Sequence, residues 1–256
     1  MEKKRRAPLR VRILAILVYI VLPLVVLAGL AAFIYVHNYY HASDRAMEAL
    51  ASPPSGVTVE EQDGDWITFG PADADAAAGV IFYPGGKVQY EAYAPLMEEM
   101  AQQGLFCVLV HMPGNLAVLD MDAAEDVMKA YPEIDGWYIG GHSLGGVMAA
   151  GYASKHPEEF EGIFLLAAYT TRDLSQSDLK GLRVYGSEDR VLNYDSLEKN
   201  EENLPQKQFR GFVIQGGNHA QFGDYGAQKG DGEATIPAEE QWRITAEALA
   251  ELTEDQ

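Results

Sequence analysis

The feature that most constrains the fold is the stretch of residues 140–146, which reads Gly-Gly-His-Ser-Leu-Gly-Gly. An apolar run ends at Ile139 immediately before it, and small and apolar residues typical of a helix follow from Val147. A serine with glycines two positions away on either side, between a strand and a helix, is the pattern of a nucleophile elbow. The stretch therefore predicts a strand, a sharp turn and a helix, with Ser143 at the edge of a sheet.

Apolar runs with the character of strands alternate along the chain with segments in which apolar residues recur at helical spacing. This alternation predicts an α/β protein with a doubly wound, mostly parallel sheet and helices on both faces. The 256 residues, 48 % of them hydrophobic, are enough to bury one substantial core. The expected strands are residues 57–61, 65–69, 79–83, 106–111, 136–141, 162–168, 182–185 and 211–215.

A serine hydroxyl is a weak nucleophile until a general base removes its proton, and that base needs an acid to orient it. In chains with this elbow, the acid and then a histidine follow the serine. Asp189 and His219 each follow a predicted strand, so both are expected at the carboxyl edge of the sheet, where open α/β sheets place their sites. The candidate triad is Ser143, Asp189 and His219, with Glu188 and Asp173 as alternative acids.

The other histidines fit a general base less well. His111 ends a predicted strand but precedes the serine, and His142 occupies the variable position of the elbow. Both are expected near the site as substrate contacts. His37 and His41 flank an apolar segment, and His156 lies at a predicted helix end. His219 therefore remains the expected base.

Three segments, residues 82–87, 140–146 and 217–223, together resemble those of α/β-hydrolases. The resemblance is specifically to the compact, lid-less group related to dienelactone hydrolases, and it extends from about Val57 to the C-terminus. It implies the α/β-hydrolase fold without a lid insertion, and it implies the triad named above.

The sequence departs from the family pattern at two places. Dienelactone hydrolases proper use cysteine as the nucleophile, whereas Ser143 stands here, so their substrate is not carried over. The His-Gly pair that usually precedes the oxyanion loop reads Pro84-Gly85. Many α/β-hydrolases insert a helical lid where this chain has only a short connection between Ala168 and Leu182. The site is therefore expected to be open to solvent.

Acyl transfer builds negative charge on a carbonyl oxygen, and fixed backbone N–H groups stabilise that charge. The amide of Leu144, directly after the serine, is expected to be one donor. The second donor is expected from the loop after the predicted strand 79–83. Gly86 is the first candidate there and Lys87 is the second.

The N-terminal region predicts a membrane segment. Residues 13–36 are uncharged, and as a helix these 24 residues would span about 36 Å, enough for a bilayer core of about 30 Å. The expected organisation is a basic cytoplasmic tail (1–12), a transmembrane helix (13–36), a stalk (37–56) and an α/β-hydrolase catalytic domain (57–256).

The orientation follows from the basic residues before the apolar segment, which resist translocation and predict a cytoplasmic N-terminus with an extracytoplasmic catalytic domain. These residues are Lys3, Lys4, Arg5, Arg6, Arg10 and Arg12. A cleaved signal peptide is the alternative, because Gly29-Leu30-Ala31 offers a small-x-small cleavage site and cleavage would release the domain.

Charge and cysteine content exclude several function classes. The net charge is −19, and after Glu2 the next acid is Asp44, so the part beyond the apolar segment is strongly acidic. Such a surface disfavours nucleic acid as a partner. Cys107 is the only cysteine, which excludes an internal disulfide, and no metal motif or phosphate-binding loop is present. The sequence indicates neither cofactor nor metal and leaves the oligomeric state unknown.

Two function classes remain. The first is a membrane-anchored serine hydrolase, foremost a carboxylesterase acting on a small-molecule or lipid-like ester or thioester at the outer membrane face. The second is a membrane-tethered, non-catalytic α/β-hydrolase-like domain that binds a ligand or partner. The complete set of serine, acid and histidine favours the first, since a binding module has no need of all three at strand ends.

Overall fold

The computed structural model describes residues 8–72 and 76–254. The chain divides between Tyr39 and Tyr40 into two compact units. The predicted basic residues at positions 3–6 lie outside the described residues. Within the described residues, the first unit contains one helix, α1 (Leu9–His37), of 29 residues, with a mean hydropathy of 3.0 over its most apolar stretch.

Helix α1 is long and apolar enough to cross a membrane, a property that an N-terminal signal sequence also has. It contains a π-helical turn at Leu17–Val21, shortly before Pro23. Proline lacks the N–H that would bond to the carbonyl four residues earlier, and a local π turn accommodates that gap. The helix begins before the predicted span of residues 13–36 and ends one residue after it.

The second unit contains one eight-stranded sheet in the order β1-β2-β4-β3-β5-β6-β7-β8. The first two strands pair antiparallel, β2 also pairs antiparallel with β4, and every other neighbouring pair is parallel. The strands are β1 (Val57–Gln62), β2 (Trp66–Pro71), β3 (Ala78–Tyr83), β4 (Leu105–Val110), β5 (Trp137–His142), β6 (Gly162–Leu166), β7 (Lys180–Gly186) and β8 (Gln208–Ile214).

Helices cover both faces of the sheet, as predicted. They are α2 (Asp44–Ala51), α3 (Ala94–Gln102), α4 (Ala123–Ala130), α5 (Leu144–Ala153), α6 (Tyr194–Lys199) and α7 (Ala238–Glu254). Side chains alternate along β3, so Val80 and Phe82 join the core under α3 and α7, whereas Ile81 and Tyr83 join the core under α4 and α5. This is the α/β fold expected of the sequence, with a mostly parallel sheet.

The connection between β6 and β7 forms no helix, in agreement with the expected absence of a lid in this part of the described chain. Strand β6 ends at Leu166, two residues earlier than predicted. Ala167 has a φ of 46°, a left-handed conformation that ends the extended run, although its N–H still donates to the carbonyl of Val184 at 2.7 Å.

The predicted stalk differs from what the structure contains. From Tyr40 onward the chain belongs to the larger unit, and Tyr40 forms a parallel bridge with Val88. Helix α2 follows, capped by Ser43, whose hydroxyl accepts a hydrogen bond from the amide of Ala46. The physical reason is that this segment has polar and apolar partners on the domain, which its composition alone did not reveal.

Candidate active site

Ser143 lies in a strained turn between β5 and α5. Its backbone has φ 51° and ψ −121°, and its N–H donates to the carbonyl of Leu166 at 2.9 Å. A Cβ atom at Gly141 or at Gly145 would overlap the carbonyl oxygen of Tyr83. The two glycines of the motif are therefore required by the close approach of β3, which is the geometry of a nucleophile elbow.

His219 and Asp189 come together in the described chain. The Nδ1 atom of His219 lies 2.8 Å from Oδ2 of Asp189, and both side chains are buried. The other oxygen of Asp189 accepts hydrogen bonds from the amides of Val191 and Leu192, at 2.9 and 2.8 Å. A carboxylate only accepts, so Nδ1 carries the proton and Nε2 presents its lone pair.

The two alternative acids bond elsewhere. Glu188 accepts a hydrogen bond from the hydroxyl of Ser187 at 3.0 Å, and Asp173 is exposed and accepts from the amide of Ser175 at 2.9 Å. The geometry thus favours Asp189 as the partner of His219.

Ser143 and His219 line the same cavity, which has a volume of about 260 Å³. The Nε2 atom of His219 is buried and has no hydrogen-bond partner among the described residues. The walls of this cavity are mostly apolar and include Leu144, Val147 and Leu192. The arrangement places the serine side chain and the imidazole of His219 at one mostly apolar cavity.

The backbone donors expected beside the serine can be compared directly. Leu144 is the first residue of α5, where helix N–H groups lack intrahelical partners. A Cβ atom at Gly86 would lie 2.8 Å from Cδ2 of Leu144, so the loop after β3 packs on the elbow. The amide of Lys87 donates to the carbonyl of Asn115 at 2.7 Å, whereas the amide of Gly86 makes no hydrogen bond within the described chain. Gly86 is therefore the better placed of the two.

The two histidines expected as substrate contacts do not line this cavity. His111 is exposed, bonds through Nδ1 to the carbonyl of Gly64 at 2.8 Å, and stacks on Tyr90. His142 is buried, with its ring centroid 4.4 Å from that of His219. The side chain of residue 142 thus contacts His219 and not the cavity.

Sequence reasoning missed a buried polar pair behind the site. The hydroxyl of Tyr93 accepts from the amide of Gly85 at 3.0 Å and lies 2.8 Å from Nδ1 of His142. Having accepted one bond, the hydroxyl donates its own proton to that nitrogen. Burial, followed by the neighbouring ring of His219, holds the pKa of His142 well below its usual value. A neutral His142 thus connects the loop after β3, through Tyr93 and Gly85, to the ring of His219.

A signal for that pair was present in the sequence, but it was weak. Tyr93 falls on the apolar face of a predicted helix, where a tyrosine is usually a core residue. Within the described residues, the only cluster with the spacing of metal ligands is His156, Glu158 and Glu159, on the surface after α5. None of these three lines the cavity of Ser143.

Three solved structures of similar fold are described as hydrolases or esterases. A protein described as a predicted CIB-like hydrolase from Thermoplasma acidophilum aligns with a TM-score of 0.56 at 16 % identity, covering 77 % of this chain and all of its own. Est1E from Butyrivibrio proteoclasticus aligns with a TM-score of 0.56 at 13 % identity, covering 78 % and 100 %. A variant of the esterase rPPE aligns with a TM-score of 0.59 at 15 % identity, covering 83 % and 88 %.

At these identities the likeness concerns the fold alone. No curated protein shows significant sequence similarity to the chain. Residues 79–243 match the model of the alpha/beta hydrolase family, a range that contains the elbow, Asp189 and His219. With the sheet order and the elbow described above, this match establishes that the chain belongs to the alpha/beta hydrolase family.

Proposed function

We propose that the chain is a serine hydrolase in which Ser143 is the nucleophile, His219 the general base and Asp189 the orienting acid. The observation that carries the proposal is the 2.8 Å hydrogen bond between His219 Nδ1 and Asp189 Oδ2. It leaves Nε2 of a buried imidazole unpartnered within the described chain, at the cavity that Ser143 lines. A histidine held in this tautomer accepts a proton at Nε2.

The proposed reaction uses these groups in two steps. His219 Nε2 takes the hydroxyl proton of Ser143 as the oxygen bonds to the substrate carbonyl carbon, and the amides of Leu144 and Gly86 stabilise the oxyanion. The C–O bond to the leaving alcohol then breaks, and the imidazolium gives the alcohol its proton. A water molecule, deprotonated by the same nitrogen, hydrolyses the acyl-enzyme and restores the serine.

The cavity supports an uncharged acyl group as the substrate portion bound beside the serine. Its walls are apolar at Leu144, Val147 and Leu192, and no Asp, Glu, Lys or Arg side chain of the described residues lines it. Carboxylic esters and thioesters of small or lipid-like acids fit this lining. The short β6–β7 connection also supports grouping the chain with the compact, dienelactone-hydrolase-like members of the family.

We further propose that α1 anchors the protein in a membrane, with the catalytic unit outside. The helix is 29 residues long, and its most apolar window has a mean hydropathy of 3.0. The basic residues that precede and begin it favour a cytoplasmic N-terminus. The alternative is cleavage after this segment and release of the catalytic unit.

The competing function is a ligand-binding domain without catalysis. A fluorophosphonate probe separates the two, because it reacts with an activated serine and leaves an inert one unmodified. We expect the wild-type protein to be labelled at Ser143 and to hydrolyse p-nitrophenyl esters, with a preference along a series of acyl lengths. Ser143→Ala should lose labelling and several orders of magnitude in kcat, retaining about 10³-fold catalysis over water. Equal hydrolysis by both proteins would refute the proposal.

A further inference from the structure

The segment that enters the catalytic unit, residues 40–45, contacts both loops that carry the proposed catalytic groups. We call it the entry segment. The oxyanion loop is residues 84–89, and the His219 loop is residues 218–232. We propose that the entry segment is a positioning element that holds these two loops in a fixed position relative to each other. The inference rests on the proposed function, because it concerns the geometry of the same site.

The entry segment extends the oxyanion loop like a short added strand. The amide of Tyr40 donates to the carbonyl of Lys87 at 2.7 Å, and its carbonyl accepts from the amide of Gln89 at 2.9 Å. The side-chain oxygen of Gln89 then accepts from the amide of Ala42 at 3.0 Å. These bonds fix the backbone immediately after Gly86, the proposed oxyanion donor.

The same segment holds the His219 loop through Asp224. The amide of Ser43 donates to the Asp224 carbonyl at 2.8 Å, and its hydroxyl donates to the carboxylate at 2.6 Å. Arg45 adds a bidentate pair to that carboxylate, with distances of 2.7 and 3.0 Å. The hydroxyl of Tyr40 also accepts from the amide of Lys229 at 3.1 Å. Charge-assisted, bidentate bonds of this kind fix orientation as well as distance.

The His219 loop depends on such contacts because it has little regular structure. Its only helical turn in the described chain is the 3₁₀ turn Ala220–Phe222. Gly226 and Gly230 have positive φ angles of 78° and 91°. Asp224 further donates its amide to the carbonyl of Ala92 at 2.7 Å, beyond the oxyanion loop. Catalytic groups must be held within about 0.5 Å of their productive geometry, which an untethered loop does not ensure.

The test compares full-length variants in detergent. Arg45→Gln removes the bidentate pair with Asp224 and the ion pair of Arg45 with Glu239. Ser43→Ala removes no charge, but it removes the hydroxyl bond to Asp224 and the hydroxyl cap on the amide of Ala46. Arg243→Gln is the matched control, since Arg243 also pairs with two carboxylates, Glu240 and Glu247, on the exposed face of α7. We measure kcat and KM for an ester well below the melting temperature, and deuterium exchange of the two loops.

We expect Arg45→Gln to lower kcat about tenfold or more, with KM changed by less than about twofold, because misplaced groups lose transition-state stabilisation. Exchange in residues 84–89 and 218–232 should become faster, Ser43→Ala should show both effects to a smaller degree, and Arg243→Gln should show neither. A lower Tm with unchanged kcat in the folded protein would overturn the proposal, as would unchanged loop exchange. If wild type and Ser143→Ala hydrolyse equally, the proposed function fails, and the exchange result alone decides whether the segment orders the loops.

Discussion

At the scale of single residues, Asp189 is the position where sequence order and geometry agree most directly. Its carboxylate receives the Nδ1 proton of His219 and two backbone amides, so its orientation is fixed from both sides. Asp189→Asn should lower kcat by about 10³- to 10⁴-fold, because the amide favours the wrong imidazole tautomer. Steady-state hydrolysis and thermal unfolding of the same preparations measure activity and folding separately.

The two alternative acids provide the controls for that substitution. Glu188→Gln and Asp173→Asn each remove one carboxylate from a surface loop, and we expect kcat to stay within about twofold of wild type. A larger loss from either variant than from Asp189→Asn would transfer the role of the acid to that residue.

His142 predicts a dependence of stability on pH. Burial and the adjacent His219 ring lower the pKa of His142 well below the usual value, so the folded state keeps it neutral. An unfolded histidine protonates near pH 6.5. The unfolded state therefore binds more protons below that pH, and the free energy of unfolding falls as pH decreases, by up to about 1.4 kcal/mol per unit for this group.

The contribution of His142 can be isolated by difference. The raised pKa of Glu98, about 7 through burial and the neighbouring Glu99, acts in the opposite direction. We therefore compare His142→Gln with wild type by urea unfolding at pH 7.5 and 5.5. The variant should lose less stability on acidification than wild type does. Parallel curves for His142→Gln and wild type would contradict this assignment.

At the scale of elements, the elbow is determined by close packing between β3 and the start of α5. A Cβ atom at Gly145 would overlap the carbonyl oxygens of Tyr83 and Pro84. Backbone atoms of a strand cannot move aside as the end of a flexible side chain can. Gly145→Ala should therefore displace the turn or prevent folding. Gly151 lies in the same helix, where a Cβ would meet only the sulfur of Met121 at 3.3 Å.

Gly151→Ala is accordingly the matched control. It should fold normally and gain up to about 1 kcal/mol of helix propensity, less the cost of moving the sulfur. Circular dichroism melts and fluorophosphonate labelling of both variants test the pair. Normal labelling of a folded Gly145→Ala protein would show that the elbow does not depend on this contact.

The central strands could be predicted because they contain short apolar runs, such as residues 79–83 and 106–110. The sheet order could not, since the placement of β4 between β2 and β3 depends on pairing between distant segments. The elbow and the order of serine, acid and histidine supplied three candidate site residues, and the structure brings Asp189 and His219 into contact and places Ser143 and His219 at one cavity. The contact between Tyr93 and His142 was missed because it joins two elements that are each explained by packing.

The entry segment was missed for a related reason. Residues 40–45 carry polar side chains after an apolar helix, which is also the composition of a solvated stalk. The residues they bond to are more than 40 positions away in the chain, namely Lys87, Gln89 and Asp224. No local sequence pattern therefore indicates these contacts. Sequence patterns of this kind identify elements and motifs but not the long-range polar bonds between loops.

At the scale of the whole molecule, the proposed membrane anchor carries a prediction about the side of the membrane on which the larger unit lies. The basic residues at the start of the chain and the acidic remainder predict a cytoplasmic N-terminus. Since the second unit begins at Tyr40, shortly after α1 ends at His37, little free chain is expected for protease attack between them. Epitope tags at the two termini are therefore a better probe than digestion of a linker.

In intact cells, external protease should remove a tag placed after the C-terminus and leave an N-terminal tag protected. The protein should remain in the membrane fraction after washing with high salt or alkaline carbonate, because insertion of an apolar helix does not depend on screened charges. Loss of the N-terminal tag together with release of a chain beginning near Ala32 would identify the segment as a cleaved signal peptide. Protection of the C-terminal tag until lysis would reverse the orientation and place the proposed substrate inside the cell.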